Sequence, residues 1–393
     1  MKIGIISEFR TQTVNYGNNL QAYALNRYLR THYPDNEVET LRFNKPVEKH
    51  ITSYAMFVIK KFRSLFNNLK QGHIRMPQPQ LDTEPFQKRL VGFRNFQSQI
   101  NLCKEQMTWK ELLKTNYDIF IVGSDVVWAQ SRYFVNRIRF LDFKTKNETR
   151  KIAYAASFGR NWIPKENVHY IKRQLERFDY ISLREQSAIQ LLKSCGIDRA
   201  VHTLDPTLLL SAKEWETIEK MPSMIVERPY IFVYLLGTDC AQREMITKFG
   251  KDNEMPIITI PYANGLINNI DKNFGDVQMM DCSPEEWIWL IHHAGYIFTD
   301  SFHGIVFSTI FEKKFFALHR EYEVDINVRL SDFLSMINES DKMISSDEFD
   351  PNKTYSWDYK LIKEIINEKA GMSKVFLKKA LGLIEQDDPE TTK

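Results

Sequence analysis

The chain has 393 residues, of which 43% are hydrophobic and 26% are charged, a composition typical of a globular protein with two or three domains. It excludes disordered, collagen-like and disulfide-scaffold proteins. Lysine and arginine number 53 against 50 acidic residues, and this net charge of +3 gives no reason to expect nucleic acid as a partner. The cysteines lie far apart without a C-x-x-C pair, so we expect reduced thiols, neither a zinc site nor disulfides: Cys103, Cys195, Cys240 and Cys282.

Two stretches of the sequence indicate where in the cell the protein is expected. The N-terminus reaches an acid at Glu8 before a signal-peptide core could form. The longest apolar stretch, residues 287–311, contains His292, His293, Asp300 and His303, whereas a spanning helix needs about 20 consistently apolar residues. We therefore expect a cytoplasmic protein.

Short β-rich runs alternate with amphipathic helical stretches, which predicts an α/β protein with parallel sheets. A helix after Ser182 is the clearest, because residues 188, 191, 192 and 195 are apolar at helical spacing. The predicted strands are residues 2–7, 37–43, 118–122, 151–156, 180–182, 201–204, 230–236, 256–260, 296–299 and 315–318.

A polar stretch with two prolines, residues 211–229, is the best candidate for a linker. It divides the chain into an N-terminal Rossmann-like domain, 1–210, and a C-terminal one, 211–393, which ends in a closing helix over 358–383. The N-terminal domain carries a basic amphipathic insertion at about 47–115. We expect the two parallel sheets to face each other across a cleft that holds the ligands.

Residues 49–81 contain six lysines and arginines and no acid, together with an apolar stripe at helical spacing. Without this +6 segment the rest of the chain has a net charge of −3. One interpretation is a helix packed on its own domain. The other is a peripheral contact with the inner membrane face or with a lipid-linked substrate.

Two strand-to-helix junctions of the N-terminal domain carry amide, hydroxyl and carboxylate groups. The residues after the first strand form either a turn with a helix cap or hydrogen bonds to a sugar. At the second junction Asp125 is either an N-cap or an acceptor for a sugar hydroxyl, with Trp128 as a stacking platform. The side chains in question are Asn15, Asn18, Asn19, Gln21, Ser124, Asp125 and Trp128.

Two further junctions carry basic groups. Ser182 and Glu185 predict a capping box, which puts Arg184 in the first helical turn against the helix dipole and suggests a bound anion there. The alternative is an Arg184 side chain that points to a surface carboxylate. His303 is expected at the helix N-terminus that follows the strand 296–299. This N-terminus is a second candidate phosphate-binding site. Residues 205–207 are interpreted as a turn.

No G-x-G-x-x-G, Walker, H-E-x-x-H, C-x-x-C or G-x-S-x-G motif is present. Taken together, the junctions resemble the polysaccharide pyruvyl transferase family from Gly4 to about Leu334. The resemblance rests on Asn15-Tyr16-Gly17-Asn18 through Gln21-Ala22, Val122-Gly123-Ser124-Asp125, Ser182-Leu183-Arg184-Glu185, Asp205-Pro206-Thr207, Thr299-Asp300-Ser301-Phe302-His303-Gly304 and Asn327-Val328-Arg329.

The resemblance implies a GT-B-like fold and a transferase that moves pyruvate from phosphoenolpyruvate to a sugar of a cell-surface polysaccharide or its lipid-linked precursor. It implies a ketal product, released phosphate, and no metal or cofactor beyond phosphoenolpyruvate as co-substrate. We expect Asp125 or Glu185 as the base, and His303 or else Asp300 as the acid. The expected donor-binding residues are Arg184, Ser301, His303, Gly304 and Arg329.

Two other functions fit the same architecture. One is a GT-B glycosyltransferase that uses a nucleotide sugar, whose diphosphate would sit at the same helix N-termini. The other is a non-catalytic glycan-binding protein on this fold, against which the presence of both Arg184 and His303 argues. The sequence sets neither the acceptor sugar nor the oligomeric state.

Overall fold

A computed structural model of the chain describes residues 1–9, 14–43, 83–129, 135–146, 148–224, 229–261, 269–320, 327–351 and 353–384. The basic stretch over residues 49–81 lies outside these ranges, so both of its interpretations stay open. Among the described helices none is long and apolar enough to cross a membrane.

The N-terminal sheet is parallel, with its described strands in the order β3-β2-β1-β4-β5-β6-β7. The order reverses between β1 and β4, which makes the carboxyl ends of these two strands the switch point where such sheets bind ligands. The strands are β1 (Lys2–Ile6), β2 (Glu37–Phe43), β3 (Leu102–Met107), β4 (Ile119–Val122), β5 (Arg150–Ala156), β6 (Tyr180–Leu183) and β7 (Val201–His202).

The C-terminal sheet is also parallel, with its described strands in the order β10-β9-β8-β11-β12-β13 and the switch point between β8 and β11. Its central strand β8 reads IFVY and is buried along its whole length, as expected for a strand covered by helices on both faces. The strands are β8 (Ile231–Tyr234), β9 (Ile257–Thr259), β10 (Val277–Gln278), β11 (Tyr296–Thr299), β12 (Lys314–Leu318) and β13 (Met343–Ile344).

Helices connect the strands of both sheets and cover their faces. The first six are α1 (Tyr16–His32), α2 (Glu84–Gln97), α3 (Trp109–Leu112), α4 (Lys165–Leu175), α5 (Gln186–Ser194) and α6 (Ala212–Glu216), the last of which lies within the predicted linker. Those of the C-terminal part are α7 (Cys240–Asp252), α8 (Pro284–His292), α9 (Phe302–Ile310), α10 (Val328–Met336) and α11 (Tyr359–Leu381).

The two domains pack on each other through aromatic side chains. The ring of Tyr16 on α1 stacks on Trp287 of α8 with centroids 5.5 Å apart, and its hydroxyl donates to the carbonyl of Cys282. Arg89 on α2, only 1% exposed, donates to the carbonyls of Pro261 and Met279. One hydrophobic core therefore runs through α1, α2, α8 and α9 across the boundary.

Three differences from the sequence expectation have physical causes. The stretch 84–112 contains α2, which packs at the domain boundary, and β3, which extends the sheet, so it is not simply an inserted basic segment. The far end of α11 returns to the N-terminal domain, where Ser373 accepts from the Leu204 amide. The predicted capping box is wrong, because Ser182 lies inside β6 and α5 begins at Gln186.

Candidate functional site

The candidate site lies where the carboxyl ends of β4, β6 and β7 meet the N-termini of α1 and α9. Gly123 at the end of β4 has φ of +140°, and an added Cβ would come within 1.9 Å of the Tyr154 carbonyl oxygen. The Gly123–Ser124 peptide is cis, and Asp125 has a positive φ of 67°. This tight, irregular turn brings the Asp125 carboxylate back over the end of the sheet.

Arg184, which follows β6, is the centre of a buried charge cluster. Its guanidinium donates to Asp125, Glu185 and Asp205 at 2.8, 2.9 and 2.8 Å. The Phe302 ring of the C-terminal domain covers the guanidinium, 4.3 Å from its centroid. Burial alone would lower the pKa of Arg184, but the three carboxylates outweigh it and raise that pKa above its ordinary value.

The anion expected beside Arg184 is thus supplied by the protein itself. Arg184 precedes α5 rather than standing in its first turn, and three carboxylates already offset its charge. At the N-terminus of α5 the Ser187 amide donates instead to the Asp332 carboxylate of α10, at 2.8 Å. The net positive charge for an anionic ligand therefore has to come mainly from other groups of the site.

The three carboxylates of the cluster differ in the direction of their pKa shifts. Burial would raise the pKa of Asp205, but His303, Arg184 and the Thr207 amide hold it well below the ordinary range. Asp125 likewise has a lowered pKa, because Arg184, His303 and Arg329 outweigh the effect of burial. Glu185 is the exception: burial raises its pKa despite its bond to Arg184. Glu185 is therefore the stronger base of the two candidates.

His303 brings the C-terminal domain into the cluster. It lies in the first turn of α9, as predicted, and its Nε2 is 3.7 Å from a carboxylate oxygen of Asp205, too far for a direct hydrogen bond. This Nε2 is buried and has no hydrogen-bond partner among the described residues. The opposite side of the ring faces α1, where a Cβ on Gly17 would lie 2.1 Å from Nδ1.

Arg329 on α10 is the second basic side chain that the C-terminal domain contributes. Its Nη1 lies 4.0 Å from Asp125, and its side chain is 17% exposed. Burial, together with repulsion by Arg184, lowers its pKa to about 10, so it stays charged at neutral pH. Its buried Nε donates to no described group. Arg329 and His303 thus both present an unpartnered nitrogen near Asp125.

The neighbours of His303 at the strand end have structural partners. The Asp300 carboxylate accepts from the backbone amides of Leu236 and Gly237 and from Arg320, all at 2.7–3.1 Å. Its two oxygens are thereby held by four donor contacts, which does not fit the predicted alternative role as an acid. Ser301 caps α9 by accepting from the Gly304 amide at 3.4 Å.

The predicted acceptor residues separate into two groups. Asn18 is half-buried, and its amide donates to Asp125. Asn15 is exposed and caps α1. Asn19 and Gln21 are fully buried, and their amides bond to Gln97 and Ser7. The side chains of Asn19 and Gln21 therefore point into the domain, where their hydrogen bonds hold the loops around the site.

Ser124 and Trp128 are enclosed as well. Ser124 donates to the Ala155 carbonyl, and its hydroxyl lies 3.1 Å from Asp205. Trp128 has no exposed surface: it stacks on Phe140 and donates to the Arg139 carbonyl. A ring without accessible surface offers no platform for a sugar, so that interpretation of Trp128 is wrong.

Two members of this region were missed as functional residues. Asp205 was interpreted as a turn residue, and it does cap the turn at Thr207, but its second oxygen joins Arg184 to His303. Arg320 belongs to none of the motifs, yet its guanidinium donates to the Asp300 carboxylate and holds it in place. The only sequence signal for Asp205 was its place directly after a strand, at the same sheet edge as Asp125.

A family comparison matches these junctions. The family model for polysaccharide pyruvyl transferase matches residues 15–322. The chain belongs to the polysaccharide pyruvyl transferase family, and it is therefore a transferase. The matched region includes the Asp125, Arg184, Asp205 and His303 junctions, whereas Arg329 lies beyond it. Among curated proteins no significant sequence match is found.

Solved structures resemble the whole chain at low identity. A putative UDP-N-acetylglucosamine 2-epimerase from Listeria monocytogenes is 10% identical, with 99% of both chains covered and a TM-score of 0.51. MnaA of S. aureus, solved with UDP, is 10% identical, with 98% of this chain and 97% of that chain covered and a TM-score of 0.50. At such identities the likeness concerns the fold alone. It confirms the prediction of a GT-B-like pair of parallel α/β domains for the pyruvyl transferase chain.

Proposed function

We propose that this pyruvyl transferase uses phosphoenolpyruvate as donor and converts two hydroxyls of a sugar into a pyruvate ketal. The acceptor is a cell-surface polysaccharide or its lipid-linked precursor. The observation that carries the proposal is the pair of buried, unpartnered nitrogens, His303 Nε2 and Arg329 Nε, beside a carboxylate cluster at the switch points of both sheets.

The charges of the site suit a small anion with a carboxylate and a phosphate. Arg184 is offset by its own carboxylates, so Arg329 and the N-termini of α1 and α9 supply the positive field, with the His303 imidazole beside them. Arg184 has further N–H groups beyond its three bonds, so it remains a candidate donor ligand that also orders the carboxylates.

The reaction then follows from the positions of acid and base. Glu185 or Asp125 accepts the proton of the first sugar hydroxyl as its oxygen bonds to C2 of phosphoenolpyruvate. His303, close to the Asp205 carboxylate, gives a proton to the methylene carbon, which becomes the methyl group. The C–O bond to phosphate breaks, the second hydroxyl bonds to the same carbon, and its proton leaves with the phosphate. Cationic hydrogen bonds stabilise the charge that develops on phosphate.

The test is a phosphate-release assay together with mass spectrometry against a panel of glycosides and lipid-linked oligosaccharides. With phosphoenolpyruvate, the acceptor should gain the mass of one pyruvic acid less one water. His303→Ala should lower turnover at least about 100-fold, the range expected for loss of a general acid. The control His169→Ala, an exposed histidine of α4, should keep normal turnover.

Near-normal turnover of His303→Ala would refute the assignment of the donor site. Thermal-shift screening separates the alternatives: stabilisation by phosphoenolpyruvate but not by nucleotides or nucleotide sugars supports pyruvyl transfer. The reverse pattern, with sugar transfer from a nucleotide sugar, would establish a glycosyltransferase instead. Contact with the inner membrane face through residues 49–81 is a separate proposal, tested by co-sedimentation with liposomes of varied anionic lipid content.

A further inference from the structure

A second group of chemistry-bearing side chains lies at the far end of α9 from His303. Glu219, in the segment between the two sheets, meets His292 and His293 at the end of α8. One Glu219 oxygen is 2.9 Å from His292 Nδ1, and the other is 3.4 Å from His293 Nε2. One ligand atom from each residue lies within 4.8 Å of the other two, and no other described group of histidine, cysteine and carboxylate residues does the same.

Aromatic neighbours hold both imidazoles in place. His292 stacks on Phe311, directly after α9, with centroids 4.4 Å apart and an interplanar angle of 17°. His293 stacks on Trp289, one turn earlier on α8, with centroids 4.3 Å apart and an angle of 26°. The two rings therefore present their nitrogens to the Glu219 carboxylate from fixed positions, and little side-chain ordering remains to be done when a ligand binds.

We infer that Glu219, His292 and His293 form a binding site for a divalent transition metal, with Zn²⁺ as the best match. Zinc takes imidazole nitrogen and carboxylate oxygen at about 2.0–2.2 Å, which separates neighbouring ligand atoms by about 3.3 Å in a tetrahedral site. The two Glu219–histidine separations, 2.9 and 3.4 Å, lie on either side of this value, and all three ligand atoms lie within 4.8 Å of one another. Two imidazoles do not suit Mg²⁺ or Ca²⁺, which prefer oxygen ligands.

The position of the site indicates a structural role and not a part in pyruvyl transfer. Phe311 directly follows α9 and comes eight residues after His303, so the two stand about 12 Å apart along the helix axis. A bound ion would join the segment between the sheets to the C-terminal domain, where the Lys220 amide already bonds to the Glu285 carbonyl. The inference is thus independent of the proposed donor chemistry.

Equilibrium dialysis and calorimetry of the metal-free full chain with ZnCl₂ test the inference. We expect one zinc ion per chain that is lost in His292→Ala/His293→Ala and kept in the control His169→Ala. Glu219→Gln, which preserves size, should weaken zinc binding at least tenfold. X-ray absorption at the zinc edge should show nitrogen and oxygen ligands with two imidazoles.

Two results would overturn the inference. One is a wild-type chain that binds no zinc at micromolar concentration. The other is equal zinc binding by the wild type, the double histidine variant and Glu219→Gln, which would place the ion at other residues. Because Glu219→Gln leaves both stacked rings intact, it decides the question even if the double variant folds poorly. Neither result bears on phosphate release, so this inference and the proposed function fail separately.

Discussion

The two halves of the candidate site differ in how their charges are satisfied. The N-terminal half, Asp125, Arg184, Glu185 and Asp205, is joined by three guanidinium–carboxylate bonds of 2.8–2.9 Å. The C-terminal half contributes His303 and Arg329, whose nearest carboxylates lie at 3.7 and 4.0 Å.

This difference indicates which groups stabilise the site and which are available to a ligand. Buried ionic groups that are fully paired contribute to the folded state, and breaking one pair leaves an uncompensated charge. Buried polar atoms without partners cost stability and are typical of binding sites. The ion pairs of the N-terminal half therefore hold the site together, whereas the two nitrogens of the C-terminal half, like Glu185 Oε2, are left for a ligand.

The largest expected effect comes from removal of the central guanidinium. Arg184→Met leaves three buried carboxylates without their cation, so we expect the free energy of unfolding at pH 7 to fall by about 3–5 kcal/mol. Urea denaturation followed by circular dichroism measures it.

Arg329→Met is the matched control for this experiment, because it also removes one guanidinium but no close ion pair. It should change the free energy of unfolding by less than about 1 kcal/mol and still abolish most of the transfer activity. Equal losses of stability in the two variants would remove the distinction between the halves.

The pH dependence of stability sharpens the comparison within the N-terminal half. The pKa of Asp205 is lowered in the folded protein, so its stabilising contribution is present above the unfolded value near 3.9 and is lost as the pH falls. The pKa of Glu185 is raised, so ionisation of Glu185 costs stability as the pH rises through its folded value.

Asp205→Asn should therefore lower the free energy of unfolding at pH 7 by about 2–3 kcal/mol and flatten its decline between about pH 5 and 2. Glu185→Gln should have the opposite effect on the pH dependence. Its free energy of unfolding should compare best with that of the wild type at high pH, where the wild type carries the cost of an ionised, buried Glu185. Urea titrations at several pH values measure both. Parallel pH profiles for the two variants would contradict the opposite directions of the two pKa shifts.

Most of the fold could be predicted from the sequence, because buried parallel strands are continuous apolar runs. The ten predicted strands all appear, with ends shifted by a few residues at most. Three described strands were not predicted: β3, β10 and β13, the last two with only two residues each. The strand β3 was missed because LCKEQM is polar and lies at a sheet edge, where burial leaves little pattern. Likewise, α2 was not predicted within the insertion at about 47–115, and its Arg89 is buried against the other domain.

The site was harder to predict than the fold, because its partners are distant in sequence. The positions of Arg184 and His303 followed from strand-to-helix junctions, but their shared contact, Asp205, looked like an ordinary turn. Trp128 and Asn19 carry residue types common in sugar sites, and only the burial of their side chains shows that they pack inside the domain. Residue type at a junction identifies candidates, whereas hydrogen-bond partners decide between them.

The smallest expected effect tests the contact between the halves directly, at the point where α1 meets His303. In Gly17→Ala the added Cβ would lie 2.1 Å from His303 Nδ1, so the imidazole must leave its present position between α1 and Asp205. We expect a stability loss of about 1–3 kcal/mol from this overpacking, with a larger proportional loss of turnover than of donor binding.

Gly371→Ala is the matched control, because nothing lies within 4 Å of its added Cβ on α11. That control should stabilise the chain by about 0.5–1 kcal/mol and leave turnover unchanged. Normal turnover in Gly17→Ala would show that transfer does not depend on the place of His303 against α1.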